Sequence, residues 1–339
     1  MMTNQDVHLQ NDFLIATVGH TCVPRMRFVT MRNWFLRMMI GAALLGAFSL
    51  VWPDAVSVAL AQGGPQAVKT IGGCPRDPAS FRPCALIKAK TFDPPRTPDG
   101  KPDFQGFWAN QENAAPWDIE PHPASFGVPG GPGDIVDPPD QKIPYTPEAL
   151  AKRNDIVENH PYDDPQAHCA PAGVPRQNYT PFGLQFVQPL GSFVILYEAQ
   201  HMYRIIPTDG RPHLPTTVKL WQGDSVGHWE GNTLVVDFAN NNGKHWLDMA
   251  GNFDTENLHV VERFTMVDAD TILYEATLTD PTIYTRPWTI ALPFARNKDK
   301  NYYLLEFACR EGEHDLQHYL DGDQSKNFNV DQKKGDQKK

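Results

Sequence analysis

Charged side chains interrupt strand-like runs of this chain whose alternation would otherwise make one face wholly apolar. Glu262 shares a face with Val260 and Phe264, Glu198 with Val194 and Leu196, Glu275 with Leu273, and Glu306 with Leu304, while Asp237 follows Val235. Burying an ionised carboxylate costs on the order of several kcal/mol unless it is paired, so these faces either look into a polar cavity or hold salt bridges. The functional reading gathers Glu262, Arg204 and Glu198 as acid and base candidates, with Arg286 and His259, around one barrel cavity where desolvation would tune their pKa values. Tyr284, Trp229, His228 and Tyr274 join His259 and Arg286 as ligand contacts, the aromatics offering walls for a flat apolar or aromatic molecule. Arg286, in Tyr284–Trp288 after the breaker Asp280-Pro281, is placed at a barrel mouth to meet a ligand carboxylate bidentately. The structural reading of the same charges is also concrete. A turn centred on Ala269 sets Arg263 directly opposite Glu275 as a cross-strand ion pair.

Other chemistries find little support. His201, His213, His228, His245 and His259 never occur two apart on one strand face, and no C-x2-C pair occurs, so no metal is called for. His314 and His318, four apart with Asp315 between them, only loosely echo H-E-x-x-H. Ser225 in GDSVG is not a nucleophile elbow, and PGGPGD precedes no apolar helix that would make a phosphate cradle. No cofactor is implied.

The elements that must hold these residues are strands. Period-two runs begin at Leu184–Pro189 and continue through Phe193–Ala199, Met202–Pro207, Ser225–Trp229, Thr233–Ala239, His259–Val267, Thr271–Thr279, Trp288–Phe294 and Tyr302–Cys309. Glu230-Gly231-Asn232 between two of them reads as a tight hairpin, and Phe104–Ala109 adds an earlier strand. Spacing this short makes neighbours antiparallel and gives roughly ten strands, enough to close a barrel or curl a sandwich. Thr146–Val157 is a short helix with Thr146 as N-cap and Pro147 at its first position, and GEHDLQHYL after Cys309 is a short C-terminal helix. The expected fold class is all-β: an antiparallel lipocalin-like barrel with a proline-rich N-terminal extension.

Four stretches follow: a leader over 1–61, a proline-rich wrap over 62–180, the barrel over 181–320 and a disordered tail over 321–339. Arg32 and Arg37, the apolar run Met38–Trp52 and Ala59-Leu60-Ala61 form a secretory signal peptide, with Met31 a candidate true start. Export into the periplasm or medium makes Cys74, Cys84, Cys169 and Cys309 a disulfide set with three pairings open to it; the short, proline-rich loop favours Cys74 with Cys84, which leaves Cys169 for Cys309. A net charge of −10 argues against nucleic acid and against anionic membrane surfaces, and cleavage of the signal leaves no membrane segment. Oligomeric state has no signature here.

The run TPDGKPDFQGFW from Thr97 to Trp108, with GDSVGHWEGNTLVVD, LHVVERF, YTRPWT and EFAC, resembles an uncharacterised family of exported bacterial proteins. In that family the corresponding runs read TPDGKPDLSGVW, G-x-S-I-G-R-W-E-G-D-T-L-V-V-D and EYAC. The resemblance spans about Thr97 to Glu311 and implies a lipocalin-like barrel in a secreted protein, without implying an activity. This chain departs from it with His228 where Arg is usual, Asn232 for Asp, and Phe238-Ala239-Asn240 where a Thr-x-Gly-Phe-like run is common. Gly106-Phe107-Trp108 also resembles the G-x-W that opens the first lipocalin strand.

Together these features imply a periplasmic protein that accepts a small apolar or aromatic molecule in its barrel. Its catalytic form would be a cofactor-free lyase or isomerase moving protons with Glu, Arg and Tyr, on the analogy of lipocalin-fold phenolic acid decarboxylases. Its rival is a non-catalytic binding or envelope-assembly protein whose charged strand residues are structural salt bridges. Whether Glu262, Glu198 and Arg204 meet at an open cavity or in a filled core separates the two.

Overall fold

In GDSVGHWEGNTLVVD the alternation does what it predicts. Strands β8 (Asp224–Glu230) and β9 (Thr233–Ala239) pair antiparallel with Glu230 opposite Thr233, so Gly231 and Asn232 form a two-residue turn. Gly231 takes φ +58°, a left-handed conformation that glycine adopts without the clash a Cβ would bring. The computed structural model describes residues 70–110, 115–124 and 130–309, all within the compact unit Ala67–Lys339. The expected signal peptide, the expected C-terminal helix with His314 and His318, and the expected tail fall outside the described residues.

Of the expected strands, all but one form to within two residues at either end. Apart from a two-residue pair, β1 (Thr70–Ile71) and β2 (Cys74–Pro75), they are β3 (Gly106–Asn110), β5 (Leu184–Val187), β6 (Ser192–Tyr197), β7 (Tyr203–Pro207), β8, β9, β10 (His259–Asp268), β11 (Thr271–Thr279) and β12 (Trp288–Arg296). They run in the order β7-β6-β5-β3-β12-β11-β10-β9-β8, every pair antiparallel, and the short β4 (Ile135–Asp137) adds to β12. The two end strands, β7 and β8, come back into contact without a hydrogen-bonded ladder, so the sheet is a nearly closed antiparallel barrel. The exception is Tyr302–Cys309, which is irregular chain; its side chains pack on the barrel through Tyr302 against Phe107 and Phe307 against Phe182.

Residues at alternate positions fill the barrel. Trp108, Phe186, Phe193, Ile195, Leu234, Phe238, Val260, Phe264, Tyr274, Trp288 and Phe294 are buried inside it and interlock through edge and tilted ring contacts such as Phe186 with Phe264 at 5.8 Å. A second, smaller core lies outside the sheet. Helix α1 (Pro78–Ala89) lays Phe81 and Ala85 on Val267, Leu273 and Ala291, the outward residues of β10 to β12. The proline-rich wrap expected over 62–180 therefore contains a helix that its prolines do not announce. Pro78 occupies the first helical turn, where no amide hydrogen is needed, and Asp77 caps it by accepting from the Ser80 amide, so the start signal outweighs Pro83 inside the helix. Helix α2 (Pro147–Asn159) forms as expected, with the Thr146 hydroxyl accepting from the Ala149 amide at 3.2 Å.

Both disulfides pair as the loop lengths favour, Cys74 with Cys84 and Cys169 with Cys309. The second ties a left-handed turn at Cys169 to the irregular C-terminal run and closes a loop of 140 residues. In the chain-entropy model such a loop is worth about 5 kcal/mol. Two disulfides in one fold place it in an oxidising environment. Among the described residues no helix is long and apolar enough to cross a membrane.

Candidate functional site

Arg204 and Glu262 do meet. Both point into the barrel, Arg204 from β7 and Glu262 from β10, and their side chains are 2% and 0% exposed. Arg204 Nη2 and Nη1 donate to Glu262 Oε2 and Oε1 at 2.5 and 3.1 Å, and Nη2 also donates to Ser225 Oγ on β8 at 2.8 Å. Arg204 thus spans the seam that lacks a backbone ladder. Gly227 lets the strands approach there, since a Cβ would lie 2.9 Å from Ile206 Cγ2.

The rest of the cluster leaves Glu262 nothing to do but hold. Asn178 Nδ2 and the Tyr274 hydroxyl donate to Glu262 Oε1 at 2.7 and 2.9 Å, and the Tyr197 hydroxyl donates to Asn178 Oδ1 at 2.7 Å. Burial pushes the Tyr197 hydroxyl up to about 12, against the pull of Arg204, and lifts Tyr274 well above the tyrosine range with the charge of Glu262 adding to it. Burial alone would lower Arg204, but the Glu262 carboxylate and Tyr197 more than offset it and hold the guanidinium charged. A proton-transfer catalyst needs a reacting atom within reach of the carboxylate. Here the Glu262 side chain has no exposed surface.

The other predicted site residues do not join this cluster. Glu198 follows β6 on the half-buried rim and accepts from the Tyr302 hydroxyl at 3.2 Å, because β6 ends at Tyr197 and the chain turns there. His259 lies on the outer face, since β10 turns Val260, Glu262 and Phe264 inward. It sits 3.0 Å from both oxygens of Asp237, which His213 also reaches at 2.8 Å while its other ring nitrogen meets Asp224 at 2.7 Å. This outer cluster fastens the irregular run 208–223 to the barrel wall. Among the described residues no three His, Cys, Asp or Glu side chains are arranged to hold a metal ion. Arg286 is exposed and pairs with Asp137. Tyr284 is buried, donating to the Phe253 carbonyl at 3.2 Å and packing edge-on to Trp288, and burial raises it well above the usual tyrosine range. Trp229 is half-buried against Phe104, and His228 is exposed beside Glu230. The predicted register of Arg263 opposite Glu275 is right, produced by a two-residue turn at Ala269-Asp270 with a bulge after Met266. The ion pair is not formed: Arg263 donates to Glu230, and Glu275 accepts from Arg82 of α1 at 2.6 Å.

One polar group escaped the sequence reading. Between β9 and β10 the chain doubles back on itself, with Trp246 bridged to Phe253 and the Leu247 amide donating to the Asn252 carbonyl. Asp248 makes the turn: its Oδ1 accepts from the amides of Ala250 and Asn252, and its Oδ2 from the Ile119 amide and Asn252 Nδ2. Burial, with the Asp118 charge, pushes Asp248 up to about 7, while these donors and Arg176 draw it back. The same register sets His245 across from Asp254, with Nδ1 2.6 Å from Oδ2 and both side chains sealed to within 1%. Burial raises Asp254, and the imidazole beside it pulls the other way. Neither nitrogen of His245 nor either oxygen of Asp254 has an aligned hydrogen bond, although all are buried. The two residues back onto a half-open cleft of about 110 Å³ whose other walls include Lys152, Lys244, Trp246 and Phe253. A larger cleft of about 360 Å³ lies between α1 and β4 on the outside. The sequence signal for the first was Asp248 followed by Gly251 at φ +79°, a turn that folds His245 onto Asp254, but it has no strand period to mark it.

Compared with known proteins, the chain matches no family model and no curated protein.

Proposed function

We propose that this chain is an exported, periplasmic, non-catalytic binding protein whose barrel is a filled scaffold rather than a reaction chamber. The observation that carries this reading is the state of Glu262: no exposure, and an Arg204, an Asn178 and a Tyr274 already bonded to it. A buried carboxylate bonded by three side chains organises a fold, and a proton-transfer enzyme would need that group free to meet substrate. The disulfides support export, and the leader expected over 1–61 supplies its route.

The test replaces the pair with apolar residues, Arg204→Met together with Glu262→Met, and incubates this variant and the natural chain with aromatic carboxylic acids. Neither protein is expected to consume any of them, and both are expected to show the same thermal shift with whichever compound binds. Turnover by the natural chain that disappears in the double variant would establish the lyase or isomerase reading instead.

A further inference from the structure

We infer that His213 is a pH-sensitive latch: its imidazolium, held between Asp224 and Asp237, fastens the loop 209–217 to the outer wall of the barrel, and loss of its proton lets the loop go. Such a latch works whether or not the protein binds a small molecule.

The loop lies between β7 and β8, the two strands that face each other across the seam without a ladder. From Asp209 to Thr217 every residue is exposed except His213, whose ring turns in against the wall. Its Nδ1 lies 2.7 Å from Asp224 Oδ2 on β8, and its Nε2 lies 2.8 Å from Asp237 Oδ1 on β9. The Leu214 amide donates to the same Asp224 oxygen at 2.9 Å, and the Leu214 carbonyl accepts from Asn240 Nδ2 at 2.9 Å. Among the described residues, the polar contacts by which this stretch reaches the wall therefore start from His213 and its neighbour.

An ionised carboxylate only accepts, so both ring nitrogens must carry hydrogen for both contacts to be hydrogen bonds, and that species is the imidazolium. Neutral imidazole has one hydrogen: it keeps one aspartate and turns a lone pair toward the other. Fastening needs the proton. Histidine is the side chain that ordinarily changes charge between about pH 5 and 8, so the loop is held in acid and loosens as pH rises through that range.

The neighbouring charges offer no substitute. His259 on β10 sits 3.0 Å from both oxygens of Asp237 but does not reach Asp224. On the loop Asp209 and Arg211 pair with each other, beyond it Lys219 pairs with Glu256, and farther along β8 and β10 Glu230 takes both His228 and Arg263. In an exported chain the surrounding pH would then set how firmly the β7–β8 connection is held.

The experiment uses the full chain with both disulfides formed and reads two quantities from about pH 5 to about pH 8: the hydrogens on the His213 ring nitrogens by NMR, and amide exchange corrected for its intrinsic rise with pH. Both nitrogens are expected to carry hydrogen in acid. Protection of the Leu214 amide is expected to fall at least about tenfold by the alkaline end, as the loss of a charge-assisted hydrogen bond implies, while the amides of β9 and β10 keep theirs. His213→Asn should leave Leu214 weakly protected throughout and flatten the profile; His259→Gln, which leaves both His213 contacts in place, should preserve the fall. Leu214 protection that is the same at both ends, that falls equally in His213→Asn, or that accompanies a His213 ring with a single hydrogen in acid would overturn the inference. The profile of the natural chain decides the matter even where His213→Asn fails to fold.

Discussion

Glu262 and Asp254 are both carboxylates sealed from solvent with a nitrogen partner at 2.5 and 2.6 Å, yet the protein completes one and leaves the other open. Glu262 sits at a regular inward position of a long strand, and Arg204 from β7, Asn178 from a turn and Tyr274 from β11 each donate to it. Asp254 sits in an irregular run, neither nitrogen of its partner His245 is aligned in a hydrogen bond, and a cleft opens beside them. The contrast separates two uses of a buried charge. Inside the sheet it closes a seam that backbone hydrogen bonds do not, and at the barrel's loops it is left in a close but unaligned contact with one imidazole.

The most severe test of that contrast is to remove one partner from the closed pair. Glu262→Ala strands the Arg204 guanidinium in the core and should cost about 3 to 5 kcal/mol in urea unfolding, while the double replacement Arg204→Met and Glu262→Met should recover most of it. A single variant as stable as the natural chain would mean that the seam does not need the pair. Gly173→Ala should cost about 1 to 3 kcal/mol, because an alanine at φ +74° is strained and its methyl drives the His245 ring aside. A urea midpoint unchanged from the natural chain would show that the His245 ring has room to move.

The sheet was legible because its chemistry repeats. His259–Phe264 alternates cleanly, so its period alone assigns Glu262 to a face, and the spacing of the hairpin sets Arg263 opposite Glu275. Partners beyond the ladder were not legible. Arg82 reaches Glu275 from a helix that the prolines had disguised, and Asn178 enters the barrel from a turn in CAPAGVPRQN. The face occupied by His259 follows from the same alternation that puts Glu262 inside, since the two are three residues apart and an odd separation reverses the side. His245 and Asp254 carry no period at all, because their meeting depends on one turn closed by Asp248 and Gly251.

Acidity offers a smaller probe of the loop side of the comparison. Asp248, pushed up to about 7 by burial, binds a proton in the folded chain at pH values where the unfolded chain, with a carboxyl near 3.8, has lost it. Between those values the folded state holds more protons, so stability falls as pH rises, by at most about 1.4 kcal/mol per unit, and Asp254 is raised in the same direction. Urea midpoints should therefore decline from pH 4.5 to 7, and Asp248→Asn should flatten the decline. Midpoints that climb over this range in the natural chain would show that the donors around Asp248 outweigh its burial.

The smallest expected effect belongs to the pair that the sequence placed correctly and partnered wrongly. Arg263 stands opposite Glu275 in the ladder but donates to Glu230 at 2.8 Å, where both side chains are more than a third exposed. Water screens such a pair, so Arg263→Ala should change stability by less than about 1 kcal/mol. Arg82→Ala leaves Glu275, which α1 covers, without its partner at 2.6 Å and should cost more than the Arg263 change. Equal effects would mean that the cover of α1 is too loose to desolvate Glu275. The distinction between charges that close the fold and charges left to solvent would then have to be drawn inside the barrel alone.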